Sequence, residues 1–347
     1  MPLRIAVCTT QVPFEFGGAE VLADALVAHL REWGHAVELV RIPFRHYPKS
    51  EILKGYLAWR LINLDESERQ TIDRVLALKF PAYVISHAYK VTWLIHQLRQ
   101  AYDLHGTEYG FFDNSEADIE LREAVRRIDT CTISESRHVF SISRNVAKRL
   151  DKFNGIQAEV LYPPPALDGR YYNDSYGDYI LSISRLNLLK RVDHLVRAMG
   201  QVKTPVRCRI AGQGPDLESL QQLARQVGAV ERIEFLGFIN DDQTIDQYAR
   251  ALAVYYAPLD EDYGLATVEA MKSGKPVVTT SDSGGVLEFV EDRVTGQVAP
   301  AGDPAALAER IDELYLDRPF TERLGAAAQQ RVAGITWDVT IKRLLEV

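Results

Sequence analysis

The chain has 347 residues, 46% of them hydrophobic and 25% charged, more than one hydrophobic core usually organises, so two domains are expected. Its net charge of −8 argues against a nucleic-acid protein that would bind by pairing phosphates with Lys and Arg. Cys8, Cys131 and Cys208 are odd in number and far apart, which suggests neither a disulfide framework nor a zinc site and fits a reducing cytoplasm.

From Arg4 to Thr9 an apolar run reads as a buried strand, too short for a signal-peptide core. A helix over Ala19–Trp33 and a strand over Ala36–Ile42 follow, then short strands over Tyr83–Ser86, Val91–Ile95, Val139–Ile142 and Glu159–Tyr162. No stretch approaches the ~18 consecutive apolar residues of a membrane span, so any membrane contact is peripheral. Arg45–Asn63, with Lys49, Lys54 and Arg60 among Tyr47, Tyr56 and Trp59, reads either as a helix resting at the inner face of a membrane or as one packed on the sheet.

Tyr162-Pro163-Pro164-Pro165 removes three backbone donors in a row and marks a linker. The alternation then restarts with strands over Tyr179–Ile183, Val206–Ala211, Ile233–Leu236, Ala253–Ala257 and Pro276–Thr279. Helices are expected between them over Arg191–Met199, Pro215–Val227, Asp242–Arg250 and Leu265–Ser273, and after Asp303 the pattern is wholly helical. Strand and helix in regular alternation mean parallel sheets covered by helices. The boundaries expected are 1–163 with a returning helix over 336–347, and 164–335.

In a doubly wound sheet ligands sit beyond the carboxyl ends of the strands, where loops enter helices whose free N–H groups favour anions. Pro258-Leu259-Asp260-Glu261-Asp262-Tyr263-Gly264 occupies such a place, with Leu265 and Ala266 opening the next helix and Glu269 one turn on. Two carboxylates, Glu261 and Glu269, are positioned to accept from sugar hydroxyls, or else form only a negative cluster at a helix start. Arg185 and Lys190 follow a strand and offer two cations to a diphosphate; the alternative is a solvated pair. In the first half Gly17-Gly18 opens a helix, either to approach an anion or simply to turn the chain. His96 ends a strand, where a histidine is either catalytic or a hydrogen-bonded boundary residue; His105 is the weaker candidate and His87 a structural one.

Taken together these motifs resemble the retaining glycosyltransferases of family 4. The resemblance covers nearly the whole chain and implies the GT-B fold, an α/β architecture of two facing doubly wound Rossmann-like domains with an all-helical C-terminal segment. It rests on Glu261 and Glu269 eight positions apart, Arg185 with Lys190, Gly212-Gln213-Gly214-Pro215, and Leu236-Gly237-Phe238-Ile239. By that resemblance the 164–335 domain binds the nucleotide sugar and the first is the acceptor side. Arg185 and Lys190 neutralise the diphosphate and Glu269 accepts from the ribose. Glu261 with the backbone of Gly264, Leu265 and Ala266 holds the transferred sugar. Gly212 and Gly214 approach the donor, the backbone at Phe238 and Ile239 reads the base, and Gly17, Gly18 and His96 face the reaction from the first domain.

Two departures stand out: Asp262-Tyr263-Gly264 where many relatives have Gly-Phe-Gly, and Arg191 where a glycine often follows the lysine. The implied activity is transfer of a sugar from a UDP- or GDP-sugar to a glycan or lipid-linked acceptor. The donor is a co-substrate, with no other cofactor and no divalent cation required. A nucleotide-sugar epimerase on the same fold, or a non-catalytic nucleotide-sugar-binding protein, are the rival readings.

Overall fold

A computed structural model describes residues 2–14, 17–107 and 109–347. It divides into two units, Met1–Ala166 with Trp337–Val347, and Leu167–Thr336.

The first unit opens with β1 (Arg4–Gln11), α1 (Gly18–Glu32), β2 (Ala36–Pro43) and α2 (Glu51–Leu61). A small antiparallel pair, β3 (Glu66–Ser67) and β4 (Gln70–Thr71), precedes β5 (Arg74–Ala77) and β6 (Lys90–Leu94). Then come α3 (Glu116–Ser134), β7 (His138–Ser141), α4 (Arg144–Asn154) and β8 (Glu159–Val160). The main sheet runs β2-β1-β5-β6-β7-β8, every pair parallel. Ile5, Ala6, Val7 and Cys8 of β1 are all buried, as a strand covered on both faces requires.

The strand expected over Tyr83–Ser86 is instead a 3-10 turn, Ala82–Val84, begun at Pro81 and fully buried beneath α2 and α3. Its apolar residues reflect packing of a turn, and β5 takes the place in the sheet. Asp129 of α3 is wholly buried and accepts from the hydroxyls of Tyr56 at 2.5 Å and Tyr102 at 2.6 Å, tying α2 and the 99–104 segment to α3. Burial raises its carboxyl to about 7, against the stabilising bonds from the two tyrosines.

The second unit runs β9 (Tyr179–Ile183), α5 (Val192–Met199), β10 (Arg207–Ala211), α6 (Leu217–Gln226), β11 (Ile233–Gly237), α7 (Asp241–Arg250) and β12 (Ala253–Tyr255). It continues with α8 (Leu265–Lys272), β13 (Val277–Thr280), β14 (Gly296–Ala299), α9 (Pro304–Leu316) and α10 (Arg318–Val332). Its sheet is again parallel throughout, in the order β11-β10-β9-β12-β13-β14. Strand order reverses between β9 and β12, which makes the carboxyl ends of these two strands the switch point where such sheets bind ligands. In the first unit the reversal lies between β1 and β5.

The last helix, α11 (Trp337–Leu345), belongs to the first unit. Trp337 stacks on His29 with centroids 4.8 Å apart and donates to the Pro165 carbonyl at 3.0 Å. Arg343 holds Glu159 through two bonds of 2.7 and 2.9 Å, and Arg74 donates to the Leu345 carbonyl at 2.8 Å.

Candidate functional site

At the switch point of the second unit, β9 ends at Ile183 and the chain turns through Ser184-Arg185-Leu186. Leu186 is fully buried and anchors the turn, while Arg185 beside it is exposed. The turn is held by the β10–α6 loop: Leu186 N donates to Gln213 O at 2.9 Å, Ser184 N to Ala211 O at 3.2 Å, and Asp216 N to Leu186 O at 3.2 Å.

Gly212 and Gly214 are what allow this approach. A Cβ on Gly212 would lie 1.9 Å from Ser184 O, and one on Gly214 would lie 2.1 Å from Leu186 O. Gly212 also sits at φ +126°, outside the range of ordinary side chains. Apart from the expected donor contact, these glycines have an immediate structural reason: they let one backbone pass against another and so fix the Arg185 turn. Gly212 N donates to Gly237 O at 2.8 Å, which draws in the end of β11, where Phe238 is 75% exposed and Ile239 half-buried.

A 3-10 turn, Leu188–Lys190, then delivers Lys190 toward the loop after β12. The Lys190 ammonium contacts the Glu261 carboxylate, and the Tyr256 hydroxyl completes a triangle at 3.0 Å from Nζ and 3.1 Å from Glu261 Oε2. Burial works against the charge on Lys190, but Glu261 and Tyr256 outweigh it and hold the ammonium pKa above its ordinary value. Arg185, Lys190 and Glu261 thus share one strand-end region, with Lys190 and Glu261 in contact.

Gly264 ends the loop at φ +87°, packed against Tyr256, Val286 and Thr267, and α8 begins immediately. The N–H groups of Leu265 and Ala266, half-exposed, head this helix and have no partner within it. The Tyr263 ring of the departing Asp262-Tyr263-Gly264 segment is buried edge-on against Phe289, centroids 5.4 Å apart.

Further along α8, Glu269 accepts from the Tyr248 hydroxyl at 2.8 Å and from Tyr171. Burial raises its carboxyl, more than the two tyrosines lower it.

In the first unit, Gly17 N donates to Glu20 Oε2 at 3.0 Å, and Glu20 in turn pairs with Lys79, both nearly buried, at the point where the strand order reverses. Gly18 is the first residue of α1. His96 lies two residues past β6, its Nδ1 3.0 Å from the Gln97 carbonyl. His105 accepts from Arg122 at 2.7 Å; burial and the neighbouring Arg122 and Arg126 lower its pKa. His87 bridges the Ile72 carbonyl and the Tyr89 amide, a structural role.

Several residues escaped the sequence reading. Tyr256 carries no motif, and Asp282 with Gly284-Gly285 lies beyond the matched segments. Gly285 N donates to Glu261 O at 2.7 Å, and a Cβ on Gly285 would fall 2.5 Å from Asp262 O. The paired glycines are the same signal that drew attention to Gly17-Gly18, and would have flagged this seat for the acidic loop.

The sequence profile of the family "Glycosyl transferases group 1" matches residues 173–331. An uncharacterised glycosyltransferase of Methanocaldococcus jannaschii is 25% identical over 99% of this chain and 97% of its own. Among solved structures, sucrose-phosphate synthase of Thermosynechococcus elongatus superimposes with a TM-score of 0.78 at 16% identity, covering 99% of this chain and 98% of that one. The Anabaena HepE protein in complex with UDP and glucose gives 0.73 at 19% identity, with the same two coverages.

Proposed function

We propose that this chain, a group 1 glycosyltransferase of the GT-B fold that uses a nucleotide sugar, moves the sugar to a hydroxyl of a glycan or lipid-linked acceptor with retention and without a required metal. The observation that carries the reading is the contact of Lys190 with Glu261 at the switch point, beside Arg185 and the start of α8. A cation for the leaving phosphate and an acceptor for sugar hydroxyls stand next to each other, as the two ends of a sugar–phosphate bond require. Fixed cations and helix N–H groups stabilise the departing charge without metal help.

In this reading Arg185 and Lys190 take the diphosphate. Glu261 with Gly264, Leu265 and Ala266 holds the sugar, and Glu269 takes the ribose. Phe238 and Ile239 flank the base. Gly17, Gly18 and His96 are the residues of the first unit proposed for the acceptor side. The bond from the anomeric carbon to the phosphate oxygen breaks, the acceptor oxygen bonds to that carbon on the same face, and its proton passes to the leaving phosphate. Glu261 is then a binding group and not a nucleophile. The UDP and glucose of the Anabaena structure support a UDP-sugar as donor, and a GDP-sugar is the other candidate.

Among the described residues no helix is long and apolar enough to cross a membrane. On α2, which also carries Lys54 and Arg60, Leu53, Leu57 and Leu61 are exposed, which supports peripheral contact at the inner face of a membrane; work in the cytoplasm on polysaccharide biosynthesis is part of the same proposal.

Incubation with UDP-glucose and with GDP-mannose, with and without oligosaccharide or polyprenyl-phosphate sugar acceptors, tests the reading. A transferase releases nucleoside diphosphate in step with a longer glycan, and NMR of the product gives the anomeric configuration. Conversion of the donor's sugar without acceptor would indicate an epimerase, and donor binding with no turnover a binding protein. Loss of activity with EDTA, restored by a divalent ion, would overturn metal independence.

A further inference from the structure

Arg191 follows Lys190 directly and sits in the left-handed region at φ +47°. An ordinary side chain is strained there and glycine is not. The local backbone therefore gives no reason for an arginine, and the reason lies at the other end of the side chain. The residue is only 8% exposed. Its Nε donates to Ala257 O at 2.9 Å, and Nη2 approaches Pro258 O at 2.9 Å and Thr280 Oγ1 at 3.0 Å. Asp282 receives it in a two-point grip, Nη1 to Oδ2 at 2.6 Å and Nη2 to Oδ1 at 2.8 Å. The Arg191 carbonyl is itself taken by the Tyr255 hydroxyl at 2.8 Å.

One guanidinium therefore joins the turn that carries Lys190, the start of the loop that carries Glu261, and the turn after β13. Asp282 extends the link: its backbone carbonyl accepts from Asp260 N at 2.9 Å, and Asp260 is a second non-glycine residue in the left-handed region, at φ +41°. Next to it, Glu261 pairs as a β-bridge with Gly284. The two strained residues each border one member of the Lys190–Glu261 pair, and both are secured by Asp282. Strain concentrated at a site persists only where the surroundings over-determine it.

We propose that Arg191, acting through Asp282, is a positioning residue that sets the relative placement of Lys190 and Glu261, and with it donor affinity and turnover. The inference rests on reading those two residues as donor groups. Arg191 touches no reacting atom; its planar fork does what a lysine's single ammonium does not, since it meets a carboxylate at two points while reaching two carbonyls.

The test compares wild type with Arg191→Gly, Arg191→Lys, Asp282→Asn and the Arg191→Gly/Asp282→Asn double variant. Calorimetric titration with UDP and with GDP measures donor-site binding, and steady-state kinetics with the nucleotide sugar that wild type turns over follows. Glycine suits φ +47°, so Arg191→Gly is expected to fold. It should weaken binding of the preferred nucleoside diphosphate about tenfold, raise donor KM and lower kcat. Asp282→Asn should do the same, the double variant should be no worse than either single one, and Arg191→Lys should recover only part. Millimolar guanidinium, and not ammonium at equal ionic strength, should restore binding to Arg191→Gly. Variants within twofold of wild type, or losses that add in the double variant and ignore guanidinium, overturn the inference while leaving the donor-site reading intact. Failure of wild type to bind either nucleoside diphosphate overturns both.

Discussion

The Tyr256 hydroxyl stands 3.0 Å from Lys190 Nζ and 3.1 Å from Glu261 Oε2, so one buried phenol braces both partners of the ion pair at the β9–β12 switch point. Tyr256 itself is buried enough that its own ionisation is pushed well up, burial being the main cause, followed by Glu261. The phenol therefore stays protonated and able to donate to the carboxylate.

Lys190→Ala removes the cation and with it the ion pair to Glu261. We expect turnover to fall by about a hundredfold or more, and by a larger factor than donor affinity, because phosphate charge grows toward the transition state. Tyr256→Phe keeps the ring and the ion pair and should cost about 1 kcal/mol of stability. Steady-state kinetics, donor titration and thermal melts of the two variants separate the effects. Equal turnover of Lys190→Ala at saturating donor would count against the assignment.

Gly212→Ala places a methyl group 1.9 Å from Ser184 O at a φ of +126°, and Gly214→Ala places one 2.1 Å from Leu186 O. Both obstacles are backbone, so the Arg185 turn must move. Each variant should lose about 2–4 kcal/mol of stability and weaken donor binding together with it. Gly155→Ala is the control: it also has a positive φ, +66°, but no atom within 4 Å, and should cost only about 1 kcal/mol with donor binding unchanged. Chemical denaturation of the three variants gives the comparison.

The parts of the fold legible in the sequence were those written in local pattern. The strands at Arg4–Gln11 and Tyr179–Ile183 are built on short buried apolar runs, residues 5–8 and 179–181, and such runs need no tertiary information. The 82–84 segment is equally apolar but forms a turn, because burial alone does not distinguish a turn packed under two helices from a strand; β5, only four residues long, opens on Arg74 and is followed by Leu78 and Lys79, a short signal beside it. At the site, Arg185, Lys190, Glu261 and Glu269 announce themselves by type and spacing. Tyr256 and Asp282 do not, and Arg191 stands out only as a departure with no role attached, since their roles come from contacts spanning 66 and 91 residues of chain. The purpose of Gly212 and Gly214 was likewise hidden, because the atoms they make room for belong to a different loop.

If Glu269 takes the ribose as proposed, donor binding should depend on pH. The Glu269 carboxyl is raised by burial, so in the folded protein it keeps its proton to higher pH than an exposed glutamate does. A group raised in this way contributes stability that is present at low pH and lost as pH rises through the folded value. A ribose is held better by the charged acceptor, so donor affinity should move in the opposite direction and strengthen over the same interval. Glu269→Gln should abolish this pH dependence of donor affinity and lower the affinity at neutral pH by roughly tenfold. Titration of the donor between pH 5 and 8 with both proteins reads the difference; parallel curves would show that Glu269 does not meet the donor.

Asp129 makes a sharper case in the first unit. Its carboxyl is raised from 3.8 to about 7 by burial, although the Tyr102 and Tyr56 hydroxyls favour the charged form. Between those two values the folded chain holds a proton that the unfolded chain has released, so stability falls as pH rises, by about 1.4 kcal/mol per unit at most, and levels off above pH 7. Asp129→Asn keeps the shape and removes the titration. It should therefore flatten the pH dependence of the thermal midpoint over this window: the two proteins melt most alike at the acid end, where Asp129 is neutral too, and separate as pH rises, the wild type falling below the variant. Thermal melts at half-unit steps from pH 5 to 8 test it; an unaltered slope in the variant would place the pH dependence elsewhere in the fold.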